Sequence, residues 1–311
     1  MRLDKLLGIK YPLIQGGMAN IATGAFAAAV SNAGALGIIA SGGVSAEGLR
    51  KEIRSCRALT DKPFGVNLML MHPEADAMAE VILEEQVRIV TTGAGSPDKY
   101  MQAWKQAGIR VFPVVSGRAL AVMMERRGAD AVIAEGTESG GHVGEMTTMT
   151  LVPQVRDAVS IPVIAAGGIA DGRQLAAAFA LGAIGAQIGT CLLVSKECPI
   201  HDAYKQALLK ARDNSTTVTG RIAGTPVRVL KNEMARQYVK REKEGATLEE
   251  LETYTLGSLR KAVFDGDVKN GSLMAGQTCG QLKEIKSLED IFRDIFEEAK
   301  RTAAGLPEVL S

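Results

Sequence analysis

Eight short apolar runs recur along the first 195 residues: Pro12–Gln15, Leu36–Ala40, Phe64–Leu68, Ile89–Thr92, Val111–Val115, Ala131–Ala134, Val163–Ala166 and Ala186–Ile188. Several are apolar at nearly every position rather than at alternate ones, as strands buried on both faces should be. Between them lie alanine-rich or amphipathic stretches of helical length: Gly24–Ala33, Ala46–Ala58, Pro73–Gln86, Pro97–Ala107, Ser116–Arg127, Val152–Val159 and Gly172–Leu181. Their spacing, roughly 20–30 residues from strand to strand, is that of a βα repeat. Eight repeats predict an α/β fold, a closed (β/α)8 TIM barrel. An open doubly wound sheet is the rival architecture.

The glycines fall into two sets around these elements. Gly34, Gly108, Gly128 and Gly182 each follow a helical stretch and precede a strand, where a left-handed helix cap belongs. Gly16-Gly17, Gly42-Gly43, Gly93, Gly95, Gly136, Gly140-Gly141, Gly167-Gly168 and Gly189 lie at the opposite strand ends. Those ends form the catalytic face of a barrel. The first set punctuates the chain, and the second is available to a ligand.

Past Lys196 the pattern changes. Residues 200–211 read as a helix, and the stretch that follows reads as turns with a short extended segment at Val227–Leu230. Lys231–Thr253 carries eleven charged residues in 23, the pattern of a solvated helix. Gly271–Gly280 is a glycine-rich loop, and Ser287–Ala303 a closing helix begun by Ser287 and Asp290. The expected organisation is a barrel over residues 1–195, a smaller, mainly helical cap over 196–265, and a return segment over 266–311 that packs on the barrel.

Composition narrows the function classes. With 46% hydrophobic and 23% charged residues the chain is not an extended disordered protein. Its 36 basic and 35 acidic residues give +1, which provides no basis for general nucleic-acid or anionic-membrane binding. No run of 18 uncharged apolar residues predicts a membrane span. The charged N-terminus MRLDKLLGIKYPLIQ lacks a secretory apolar region. Cys56, Cys191, Cys198 and Cys279 form no C-x-x-C pair, and a zinc site would need scattered ligands. A cytoplasmic enzyme with reduced thiols is the expectation.

Candidate chemistry concentrates at Ile161–Thr190, where a Gly167-Gly168 turn and Gly189-Thr190 follow successive strands. Two adjacent glycine turns can offer convergent N–H donors to phosphate, with the Thr190 hydroxyl beside them. No G-x-G-x-x-G follows a strand and no P-loop exists, which disfavours a Rossmann dinucleotide domain and a P-loop NTPase. FMN, a sugar phosphate or pyridoxal phosphate suits a barrel phosphate site. No strand run ends in a Schiff-base lysine, so the weight moves to flavin. Gly17 and Met18 in QGGMAN can border a flat ring. Asn67 either closes a loop or presents amide groups to a flavin edge. His142 stands in GTESGGHVGE among glycines and polar residues, either as a structural histidine or as an acid or base. Glu135, Glu138 and Glu145 flank it, and the sequence does not rank them. His72 is placed near the mouth, and His201 at a helix start.

Six segments together carry a resemblance: IQGGMAN at 14–20, FGVNLMLM at 64–71, AEGTESGGHVGEMTTMTLVPQV at 134–155, IPVIAAGGIADGR at 161–173, QIGT at 187–190 and GSLMAGQ at 271–277. They resemble the nitronate monooxygenase and flavin-dependent enoyl-reductase family over nearly the whole chain. The resemblance implies an FMN-bearing TIM barrel with a smaller inserted domain, assembled as a homodimer. It implies NADH or NADPH as donor and stimulation by a monovalent cation, K+ or NH4+. By position, Gly167, Gly168, Gly189 and Thr190 would hold the FMN phosphate. Gly17, Met18, Asn67 and Glu135 would line the flavin, and His142 would be catalytic. Gly271, Ser272, Met274 and Ala275 would lie near the flavin and the cation. TTMTLVPQV and GSLMAGQ favour the reductase branch, which reduces the trans-2 double bond of enoyl-acyl-carrier-protein in bacterial fatty-acid elongation. Oxidation of alkyl nitronates with FMN and oxygen is the alternative. An acidic carrier protein would dock on basic residues, for which Lys196, Lys205, Lys210, Arg212, Arg228 and Lys231 are candidates.

Overall fold

Each of the eight apolar runs becomes a strand of one parallel sheet in the computed structural model, which describes residues 2–310. In chain order the first part is α1 Leu3–Leu7, β1 Leu13–Gln15, α2 Gly24–Asn32, β2 Gly37–Ala40, α3 Ala46–Leu59, β3 Phe64–Met69 and α4 Ala75–Glu84. There follow β4 Ile89–Gly93, α5 Asp98–Gln106, β5 Arg110–Val115, α6 Arg118–Arg126, β6 Val132–Glu135, β7 Gly141–His142, α7 Thr148–Arg156, β8 Val163–Ala166, α8 Gly172–Ala180 and β9 Ala186–Ile188.

The sheet runs β1-β9-β8-β6-β5-β4-β3-β2. Its two ends meet: Gln15 N–H donates to the Leu36 carbonyl at 2.9 Å, and Leu36 N–H to that of Leu13 at 2.9 Å. The barrel is closed, and the open doubly wound sheet is excluded. Alternate side chains fill its interior, among them Ile14, Ile38, Phe112, Ile133 and Ile164, all fully buried. The short helix α1, which sequence periodicity does not announce, inserts Leu3 and Leu7 into this layer and closes the lower end. The upper end, where the strands terminate, stays open to a cavity. Gly34, Gly108, Gly128 and Gly182 all have positive φ, from 72° to 101°, as expected of left-handed caps.

Beyond β9 come a 3-10 turn at Thr190–Val194, α9 Asp202–Leu209, β10 Thr216–Thr219, β11 Val227–Leu230, α10 Glu233–Lys243, α11 Leu248–Thr255 and α12 Ser258–Arg260, continued by a π turn at Lys261–Asp265. A further 3-10 turn at Gln277–Gln281 precedes α13 Leu288–Leu310. Two expectations are corrected here. Thr216–Thr219, read as turns, is a strand, because β11 pairs with it on one edge and with β7 on the other. The charged stretch after Lys231 is two helices broken at Gly245, not one solvated helix, and it buries Met234, Ala235, Tyr238 and Leu251.

α13 takes the place of the barrel's eighth helix. It packs along α8, and Gly172 lies so close that a Cβ there would fall 2.3 Å from the Ala299 nitrogen. Phe292 and Phe296 meet Tyr11 with ring centroids 6.2 and 5.5 Å apart. The four cysteines are buried free thiols, and burial raises Cys56 and Cys191 to about 12, which leaves them unreactive. Among the described residues no helix is long and apolar enough to cross a membrane.

Candidate active site

A cavity of ≈ 580 Å³ opens at the C-terminal ends of the barrel strands. Gly17, Met18, Asn67, Glu135, His142, Gly167, Gly168, Gly189 and Thr190 all line it. Residues separated by up to 173 positions, from Gly17 to Thr190, are thus gathered on one rim, because parallel strands place their C-termini together.

One end of the cavity is built to receive an anion. Gly167 and Gly168 are successive left-handed residues, at φ 87° and 71°. Among the described residues, the N–H groups of Gly167, Gly168, Gly189 and Thr190 donate to no acceptor of the chain. Four of the neighbouring N–H groups at the start of α8 are taken. Gln174 accepts from Ala170 and Asp171, Asp171 accepts from Gln174, and Glu298 accepts from Gly172 at 2.7 Å. The glycine turns therefore supply most of the free donors, with the Arg173 N–H at the helix terminus beside them. The Thr190 hydroxyl, expected beside a phosphate, accepts from the Gly276 N–H at 2.9 Å and so anchors the 271–277 loop. Its own proton is still available to an anion.

Across the cavity, Gly17 is required by a close approach: a Cβ there would lie 2.4 Å from Cγ of Asn67. Asn67 Nδ2 donates to Thr91 Oγ1 at 2.9 Å, which orients the amide. Gln187 was not singled out from sequence, yet it is buried on the cavity wall with Oε1 unpartnered. The signal was present as a lone amide in the apolar run Ala186–Ile188. Ser139, Leu259 and Thr278 also line the cavity and were missed.

His142 sits on β7, opposite Val227 of β11, with its side chain on the cavity wall. None of the three flanking glutamates orients it. Glu138 accepts from the N–H and hydroxyl of Thr148 at 3.0 Å, at the start of α7. Glu145 pairs with Arg221 at 3.1 Å. Glu135 is pushed up to about 7 by burial. Desolvation at the cavity wall moves His142 below the ordinary imidazole range, although its edge is exposed to the cavity. His72 is not on the cavity wall: its Nδ1 accepts from Glu74 N–H at 3.1 Å, while His201 accepts from Ala203 N–H at 3.0 Å and caps α9.

The 271–275 loop packs against the histidine segment, and a Cβ on Gly140 would fall 2.7 Å from the Ala275 carbonyl carbon. Met274 lines the cavity. The carbonyls of Gly271 and Met274, expected near a cation, already accept from Asn232 Nδ2 at 2.7 Å and Tyr204 Oη at 2.8 Å. Their observed work is to hold the loop. Among the basic candidates for carrier docking, Lys205 and Arg228 are buried and drop out; Lys205 spends its ammonium on the Ser195 carbonyl at 2.8 Å. Lys196, Lys210, Arg212 and Lys231 remain exposed.

The family model described as nitronate monooxygenase matches residues 1–80 and 74–298. The solved structure of FabK from Thermotoga maritima superposes with a TM-score of 0.96 at 50% identity, covering 99% of this chain and 98% of that one. A nitronate monooxygenase of Paraburkholderia phytofirmans is 38% identical over 73% of this chain and 75% of its own. The (3aS,4S,5R,7aS)-5-hydroxy-7a-methyl-1-oxo-octahydro-1H-indene-4-carboxyl-CoA dehydrogenase of Mycobacterium tuberculosis is 33% identical over 98% of both chains.

Proposed function

The chain belongs to the nitronate monooxygenase family of flavin-dependent oxidoreductases, and from that premise we propose that it reduces the trans-2 double bond of an enoyl thioester carried on acyl carrier protein. The reading takes FMN as cofactor and NADH or NADPH as donor. The observation that carries it is the likeness to FabK, an enoyl-acyl-carrier-protein reductase, along the whole chain and through the cap. A relative named as a carboxyl-CoA dehydrogenase supports a thioester substrate.

The cavity fits FMN on its own terms. Four N–H groups without acceptors suit a phosphate, and the unpartnered Gln187 Oε1 suits a donor on a polar ring edge. Gly167, Gly168, Gly189 and Thr190 would hold the phosphate, while Gly17, Met18, Asn67 and Glu135 would border the ring. Bound there, FMN supplies two-electron chemistry that no side chain possesses. The protein's part is electrostatic. As hydride reaches the β-carbon, charge grows on the thioester oxygen, and the neutral His142 imidazole donates its N–H to that oxygen. The interaction strengthens only as the charge develops, which is what lowers the barrier. The enolate so formed takes its α-proton from solvent, because a neutral imidazole could supply one only by leaving as imidazolate.

Anaerobic stopped-flow at the flavin absorbance tests this reading. NAD(P)H should bleach the flavin, and crotonyl thioester should restore its colour without oxygen. In His142→Ala bleaching should persist, while reoxidation by enoyl thioester should slow by roughly 10²–10⁴-fold. Wild-type enzyme that enoyl thioester leaves reduced would overturn the reading. The second reading, oxidation of alkyl nitronates with oxygen, is favoured by the relatives that carry that name, and rapid turnover of nitronate would establish it. The reductase reading also includes a homodimer, checked by light scattering. It includes carrier docking on Lys196, Lys210, Arg212 and Lys231, whose joint reversal to Glu should raise KM for carrier-bound substrate and spare short thioesters.

A further inference from the structure

We propose that Arg228 is a positioning residue for His142: its guanidinium grips the Thr137 carbonyl while its own backbone pairs with Gly141, so that one residue holds both ends of the turn that leads directly into His142. The inference rests on the role given to His142 above and adds the group that holds it in register.

Arg228 is buried on β11, with Nε and Nη2 donating to the Thr137 carbonyl at 3.1 and 3.0 Å and Nη1 to Thr216 Oγ1 at 3.1 Å. The planar fork of a guanidinium allows both grips at once, and a lysine ammonium has no such fork. The next residue pair in the ladder is Val227 with His142, and Val143 N–H donates to the Pro226 carbonyl at 3.1 Å. Between the two grips lie Glu138, Ser139 and Gly140, all on the cavity wall. The two consecutive glycines, Gly140 and Gly141, leave this stretch few intrinsic restraints.

A charge is not what this strand needs for its own stability. Every hydrogen-bond partner of the Arg228 side chain is a neutral oxygen, and burying a guanidinium on such partners costs desolvation that an apolar side chain would avoid. Val227, Val229 and Leu230 around it follow ordinary β preference. The exception is explained by what it holds. Arg228 comes from the cap and Thr137 from the barrel, so the clamp also makes the register of the cap the register of His142.

A double-mutant cycle with His142→Ala tests the clamp. Arg228→Met should slow oxidation of the reduced flavin about 10–100-fold when His142 is present, the scale of a displacement near 1 Å. The same change should alter the rate less than about twofold in the His142→Ala background, because a positioning residue has nothing left to position. FMN content and the rate of bleaching by NAD(P)H should be unchanged. Equal slowing in both backgrounds, or none in either, would overturn the proposal. If enoyl thioester fails to oxidise the wild-type flavin, the reductase reading falls alone, and the cycle is read with alkyl nitronate and oxygen. Amide hydrogen exchange on the cofactor-free protein gives a readout without turnover: residues 137–143 should lose protection in Arg228→Met while β8 and β9 keep theirs. Unchanged protection there would also overturn the clamp. Should Arg228→Met fail to fold, Arg228→Lys is used; it retains the charge but not the fork, and a wild-type rate in it would sink the proposal.

Discussion

Gly189 separates what the fold requires from what a ligand requires. Its φ is negative, and a Cβ added there would meet only the Met18 sulfur, at 3.7 Å. Gly168 differs, because its φ of 71° would strain any side chain. We expect Gly189→Ala to fold normally and to weaken FMN binding about ten- to a hundredfold, the loss of one hydrogen bond to a charged group. Riboflavin, which lacks the phosphate, should lose far less. Equal losses, measured by fluorescence titration, would remove the phosphate from this turn. Glu135 makes a second residue-scale prediction. Burial raises it from 4.5 to about 7, so the folded protein keeps a proton that the unfolded chain releases. Its contribution to stability is complete below about 4.5 and declines as pH rises through about 7. Urea midpoints of cofactor-free wild type should therefore fall relative to Glu135→Gln across that window. Parallel profiles would show that Glu135 is not held protonated.

Asn232 shows how much one cap can carry between elements. Its Oδ1 accepts from Ala235 N–H at 2.9 Å to start α10, while Nδ2 donates to the carbonyls of Val268 and Gly271 at 3.0 and 2.7 Å. Asn232→Ala should cost about 2–4 kcal/mol, the cap together with the abandoned carbonyls. Asn232→Asp should recover only the cap, and chemical denaturation of the three proteins would separate the parts. Legibility from sequence followed the range of the interactions. The barrel strands are readable because burial on both faces leaves continuous apolar runs, and the helix ends because left-handed caps need glycine. β7 and β10 are not readable: one is two residues long, and the other, Thr-Thr-Val-Thr, is half exposed. Both exist because β11 pairs with them, from far along the chain for β7 and across a short turn for β10. For the same reason, His142 could be suspected from its motif while its support by the cap could not. Gly17, Gly167, Gly168 and Gly189 line the cavity at the strand ends. Gln187 was hidden within a strand read only for its hydrophobicity.

At the scale of the molecule, the helix that completes the barrel is written long after the helix it packs on. Truncation after Lys286 should uncover Tyr11, Leu175 and the whole flank of α8, and abolish cooperative unfolding and FMN binding together. A truncated chain that still melted in one transition would mean that α13 is an accessory. The order of the elements has a further consequence during synthesis. α8 ends at Ala180 and its partner begins at Leu288. At about 5–20 residues per second, a ribosome needs roughly 5–20 s to cross that interval. Once β9 has followed at Ala186–Ile188, all eight barrel strands are made, but the apolar flank that α13 will cover still faces solvent or a chaperone. The nascent chain must hold an almost complete barrel open at one seam until α13 arrives.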